Sequence, residues 1–129
     1  SIGRMEDKVD LLQSVRTLVK NGYDLFATEN TAKFLKENSV PATLLHKVSS
    51  GKSPNIPEYL EAKKLDLAIV IPKSYAHDEM TDGYHIRRKA VDMAIPLITN
   101  VQVAKVLIRA LDKYTLDDLK IKDWGEYKN

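Results

Sequence analysis

One short stretch, Leu65-Asp66-Leu67-Ala68-Ile69-Val70-Ile71-Pro72, limits the possible folds of this chain more than any other. A strand with one wet face alternates apolar and polar residues. This run is apolar almost throughout, so it predicts a strand covered on both faces, as in a parallel sheet between helical layers.

The rest of the chain supplies those layers. Apolar residues at Val9, Leu11, Leu12, Val15, Leu18 and Val19 predict a helix over Asp7 to Asn21, and Gly22 can take the positive φ that ends it. Tyr23 to Ala27 reads as a strand, followed by a helix from Thr28–Thr31 to about Glu37. Ala42 to Val48 reads as another strand, Ser49 to Asn55 as a turn-rich loop with Gly51 and Pro54, and Pro57 as the first turn of the next helix. After the buried strand come a helix over Asp82 to Met93, a strand over Pro96 to Thr99 and a helix over Asn100 to Leu111. Lys113 to Asn129 is polar, with Leu116, Leu119, Ile121 and Trp124 as anchors. This alternation predicts an α/β/α sandwich with a mostly parallel sheet. Ligands of such sheets bind at the carboxyl ends of the strands. The loops there are Gly3–Lys8, Ala27–Thr31, Lys47–Asn55, Pro72–Asp82 and Thr99–Asn100.

Composition removes several function classes. The 129 residues make one domain, 1–129, and 43% hydrophobic content is enough for one core. No apolar run approaches the ~20 residues of a membrane span, and SIGRMEDKVD is not a signal peptide. A formal charge of +2 gives no nucleic-acid surface. The absence of cysteine excludes disulfides and thiolate metal sites and suits a cytoplasmic protein. His46, His77 and His85 lack metal-ligand spacing, so no metal is expected. With no GxSxG, Walker or GxGxxG motif, neither catalytic residues nor a cofactor are expected. Ser1 stands first with little before the first helical pattern, which reads as a domain excised from a longer polypeptide, its first core strand missing or cut short.

Thr28 and Thr31 lie at a strand-to-helix junction, where two hydroxyls beside free amides make a phosphate cradle. Helix capping alone would also account for them. Lys8 and Lys47 lie near two other loops on the same edge, and each offers a point charge to a phosphate. His77-Asp78 reads as a solvated loop pair and Arg87-Arg88-Lys89 as a solvated helix face. From the residues alone, the expectation is an α/β domain that binds a small anion.

Read together, several segments resemble the methylglyoxal-synthase-like domains. Residues 20–32, KNGYDLFATENTA, are similar to the segment those domains place at their phosphate site. Asp82 to Asp92, DGYHIRRKAVD, looks like the version in carbamoyl phosphate synthetase large subunits, and Ile95 to Asn100, IPLITN, completes the order. The resemblance implies a three-layer α/β/α sandwich around a mostly parallel five-stranded sheet. It also implies a regulatory domain whose effector phosphate is held by Lys8, Thr28, Thr31 and Lys47. Lys73, Ser74 and Asn100 would contact base or sugar. In bacterial synthetases the effectors are UMP and IMP; in animal ones activated by N-acetylglutamate, a tryptophan stands about where Lys47 is. The partners implied are the synthetase's own catalytic domains and its glutaminase subunit.

The chain departs from the pattern in two places. A free methylglyoxal synthase needs a carboxylate base in the loop after the third strand, and Ser49 to Asn55 holds no acid. Asp82 matches a second acid of those synthases but does not replace the base. Bacterial synthetases carry Asn and Thr where this chain has Val70, Ile71 and Pro72, so Lys73 or Ser74 would have to make those polar contacts. The alternatives to an effector domain are therefore a free methylglyoxal-synthase-like enzyme and a structural domain for subunit contacts.

Overall fold

A computed structural model of the chain describes residues 1–47, 50–73 and 82–114. Helix α1 (Met5–Lys20) opens with Glu6 and Asp7 and closes with Lys20, charges that match the two ends of its dipole. Gly22 at φ +87° then turns the chain, a conformation open to glycine at little cost. Strand β1 (Phe26–Ala27) leads into α2 (Glu29–Glu37), and β2 (Thr43–Leu44) follows. Helix α3 (Ile56–Glu61) has Pro57 in its first turn, and the Asn55 side chain accepts from the Glu58 N–H at 3.0 Å. Then come β3 (Ala68–Ile69), α4 (Asp82–Asp92), β4 (Leu97–Ile98) and α5 (Val101–Leu111). Each element lies inside or within two residues of the segment that the hydrophobic pattern marks out.

The strands divide their side chains between two helical layers. Ile69, Ile71 and Ile98 pack with Leu11 and Leu18 of α1 and with Leu107, Ile108 and Leu111 of α5. Ala68, Val70 and Leu97 turn the other way, onto Ile56 and Leu60 of α3 and Ile86 and Ala90 of α4. The period of two puts neighbours on opposite faces, so an apolar run with both faces covered is what this position requires. An ion pair between Lys105 and Asp10 and a 2.9 Å hydrogen bond from Asn21 to Asp112 tie α5 to α1.

The single five-stranded sheet expected from the resemblance is not what these residues form. Among the described residues there are two parallel pairs, β1 with β2 and β3 with β4, together with isolated bridges Ile2–Ile71 and His46–Asn55. The physical reason lies between the pairs. Leu25 and Ala27 accept from Thr43 and Leu45, so the groups of Phe26 point away from β2. Ala68 and Val70 donate to Pro96 and Ile98, so Leu67 and Ile69 point away from β4. These two edges line a mostly apolar slot of about 420 Å³ instead of meeting. At one end of it Ser1 to Gly3 runs beside β3: Ser1 donates to the Ile69 carbonyl at 2.9 Å, Ile71 to Ser1 at 2.8 Å and Gly3 to Ile71 at 2.8 Å.

Candidate functional site

The polar end of the slot is where the sequence places it, at the carboxyl ends of the strands. Among the described residues, the buried polar or charged side chains are Lys8, Thr28 and Thr31, and all three line this end together with Ser1. Lys8 is carried inward on the same face of α1 as Leu11 and Leu18. Thr28 and Thr31 arrive at the start of α2.

The two threonines do different work. Thr28 is the N-cap residue of α2, yet its side chain makes no capping hydrogen bond. Thr31 reaches across to the first residues of the chain: its hydroxyl accepts from the Ile2 N–H at 3.0 Å and lies 3.4 Å from the Ile2 carbonyl. It serves as the lateral partner that Ile2 has no strand to provide. Simple capping therefore explains neither threonine.

Lys8 is the buried cation at this end of the slot, and Lys47 follows β2 on the loop beside it. One acid borders this basic region: Glu29 Oε1 lies 3.5 Å from His46 Nδ1, an ion-pair distance when the imidazole is protonated. An anion placed here would meet the buried Lys8 ammonium and the opening turn of a helix.

The remaining predicted contacts do not join this cluster. Lys73 is exposed, although its backbone packs against Gly3 so closely that a Cβ at Gly3 would stand 2.5 Å from the Lys73 nitrogen. Gly3 therefore fixes how near the loop after β3 comes to the turn before α1, a constraint that a glycine between strand and helix could have signalled. Asn100 is exposed and caps α5, accepting from the Val103 N–H at 3.0 Å. Ser74 and the His77-Asp78 pair lie outside the described residues. Among the described residues no group of three or more His, Cys, Asp or Glu is placed to hold a metal, and no helix is long and apolar enough to cross a membrane. In the loop before α3, the Ser53 hydroxyl donates to the Glu58 carboxylate at 3.0 Å, on an exposed flank. No local pattern marks Glu29 as a neighbour of His46, since the two lie 17 positions apart in the chain.

Comparison with known proteins identifies the family. A sequence model of the MGS-like domain matches residues 10–99. The chain is 36% identical, over 95% of its length, to the C-terminal section of the carbamoyl phosphate synthase large chain of Methanocaldococcus jannaschii, of which it spans 20%. It is 36% identical over 96% of its length to the carbamoyl phosphate synthase large chain of Methanothrix thermoacetophila, spanning 11%. Against the multifunctional protein pyr-3 of Neurospora crassa the identity is 37% over 96% of the chain, spanning 7%.

Proposed function

The chain belongs to the MGS-like domain family, and from that premise we propose that it is the effector-binding regulatory domain of a carbamoyl phosphate synthetase. It holds a small phosphate-bearing molecule and performs no chemistry itself. The observation that supports this reading is buried Lys8 beside buried Thr28 and Thr31 at the polar end of the slot, where α2 begins. Cations gathered next to half-committed hydroxyls are costly to bury without an anion. A phosphate at the start of α2 would be held by both lysines, by the Thr28 hydroxyl and by the free N–H groups of the helix.

A nucleoside monophosphate such as UMP or IMP suits this site better than N-acetylglutamate. A compact double negative charge makes fuller use of two lysines than an acylated amino acid does, and by resemblance Lys47 stands about where the animal synthetases activated by N-acetylglutamate have a tryptophan. Lys73 and Asn100, on loops at the same edge, would meet the base or sugar, with Ser74 beside Lys73 in sequence. The partners in this reading are the catalytic domains of the same polypeptide and its glutaminase subunit, in a cytoplasmic enzyme serving pyrimidine and arginine synthesis. Regulation then requires that the effector bind one state of the enzyme more tightly than the other.

Calorimetric titration with UMP, IMP and N-acetylglutamate in turn tests the proposal. Saturable nucleotide binding, weakened about 10- to 100-fold in Lys47→Ala, is expected for loss of one charge-assisted contact of roughly 1.5–3 kcal/mol. Unchanged affinity in Lys47→Ala and Thr28→Ala sinks the assignment of the site. No binding of any of the three moves the weight to a subunit-contact role.

A further inference from the structure

Where β1 and β2 give way to the segments that follow them, an acid and a histidine stand together close to the buried cation. The register of the pair, Phe26 with Thr43 and Ala27 with Leu44, carried two residues further sets Glu29 level with His46. Glu29 is the first residue of α2, next to buried Thr28, and His46 follows buried Leu45. Glu29 Oε1 lies 3.5 Å from His46 Nδ1. That nitrogen is shut off from solvent and makes no hydrogen bond among the described residues.

A bare Nδ1 lone pair would be repelled by the carboxylate, so a proton belongs on this nitrogen. Two forms of the ring carry one there, the neutral Nδ1–H tautomer and the imidazolium. Both can face Glu29, but only the imidazolium cancels its charge. The neighbouring elements offer no second acid for the ring among the described residues. Lys8 of α1 and Lys47 beside His46 are cations, as are exposed Lys33 one turn along α2 and exposed Lys52 in the loop before α3. On the α3 side, the backbone of His46 is bridged to neutral Asn55, and the Glu58 carboxylate accepts from the Ser53 hydroxyl at 3.0 Å.

We infer that His46 and Glu29 form a charge-compensating pair that makes the anion site respond to pH, binding most tightly when the imidazole is protonated. The inference rests on the anion-binding reading above and names how that same site is regulated. An acid in the first turn of a helix sits where a bound phosphate is drawn. An uncompensated Glu29 carboxylate therefore repels the ligand that Lys8 attracts. Protonating His46 cancels that charge and leaves the cations in excess. The sign follows: affinity for a divalent anion is highest below the pH at which the ring loses its proton, and falls as pH rises through it. Linkage runs both ways, so a bound anion in turn favours the protonated ring.

The test uses the intact protein, with UMP as the probe. His46→Gln leaves the backbone bonds to Pro54 and Ile56 in place, and Glu29→Gln keeps the length of the side chain. Calorimetric affinities at ~pH 6 and ~pH 8.5 bracket the ordinary range of histidine. Comparing them as ratios between proteins cancels the titration of the phosphate itself. The parent is expected to match His46→Gln at the higher pH and to bind roughly 10-fold tighter at the lower. Glu29→Gln should exceed the parent by a similar factor at the higher pH and approach it at the lower. A parent-to-His46→Gln ratio that is the same at both pH values overturns the inference and leaves the anion site standing. UMP binding absent from all three proteins overturns the proposed function, and this inference with it. One readout needs no ligand: deuterium exchange at the imidazole C2 of His46, followed by mass spectrometry. Its titration should run to higher pH in the parent than in Glu29→Gln, and coincident curves overturn the pairing even where UMP binds.

Discussion

The β1–β2 pair and the β3–β4 pair share one plan, a two-residue parallel ladder, yet they sit in opposite surroundings. Ala68, Val70, Ile71 and Ile98 are buried between two apolar helical layers. Thr43 and Leu44 of β2 are exposed, and the buried polar residues Lys8, Thr28 and Thr31 gather where β1 ends. The β3–β4 half has the packing of a core, whereas the β1–β2 half keeps polar groups that packing alone would not select. Apolar packing and buried polar groups thus belong to different strand pairs, and the slot lies on the seam.

Substitutions in the two halves can break that contrast. Leu107→Ala, in the fully buried middle of α5, should lower stability by about 3–5 kcal/mol, read from the urea midpoint. A loss below ~1 kcal/mol would mean the β3–β4 half is not the stable one. Thr31→Val keeps the shape but strips the Ile2 N–H of its acceptor, and should cost about 1–3 kcal/mol. If it cost as much as Leu107→Ala, the polar half would be structural as well. Lys8→Met removes a buried charge, and should raise stability by about 1 kcal/mol while weakening phosphate binding. A drop in stability instead would show that the lysine holds the fold together. Leu44→Thr, on the exposed edge strand, should stay within ~0.5 kcal/mol of the parent.

The helices and the buried strand were legible because their information is local. Val9 to Val19 carries its period in adjacent residues, and Leu65 to Pro72 announces two covered faces by its composition. The four phosphate candidates were legible as a type of chemistry at a type of position, and three of them do line one end of the slot. The sheet was not legible at this level. Whether Phe26 meets a neighbour depends on what lies between it and Leu67, 41 residues away. The same holds for Thr31, whose partner Ile2 is 29 residues distant, and no periodicity encodes a side chain that grips a remote backbone. Asn100 stands at a strand end, where ligand contact was expected, and in the structure its side chain also caps α5, a local role that a polar residue just before a helix commonly takes.

The Thr31 hydroxyl has a single proton and two lone pairs. Its good bond is the one in which it accepts from Ile2 at 3.0 Å; its donation to the Ile2 carbonyl, at 3.4 Å, is long enough to be weak. A phosphate oxygen arriving from the polar end can therefore draw that proton towards itself without disturbing the accepted bond. The side chain can answer a ligand by a small rotation of its O–H alone. Recognition at this residue would then leave the chain path at Ile2 in place, and what changes on binding would be the direction of a dipole rather than the position of a backbone.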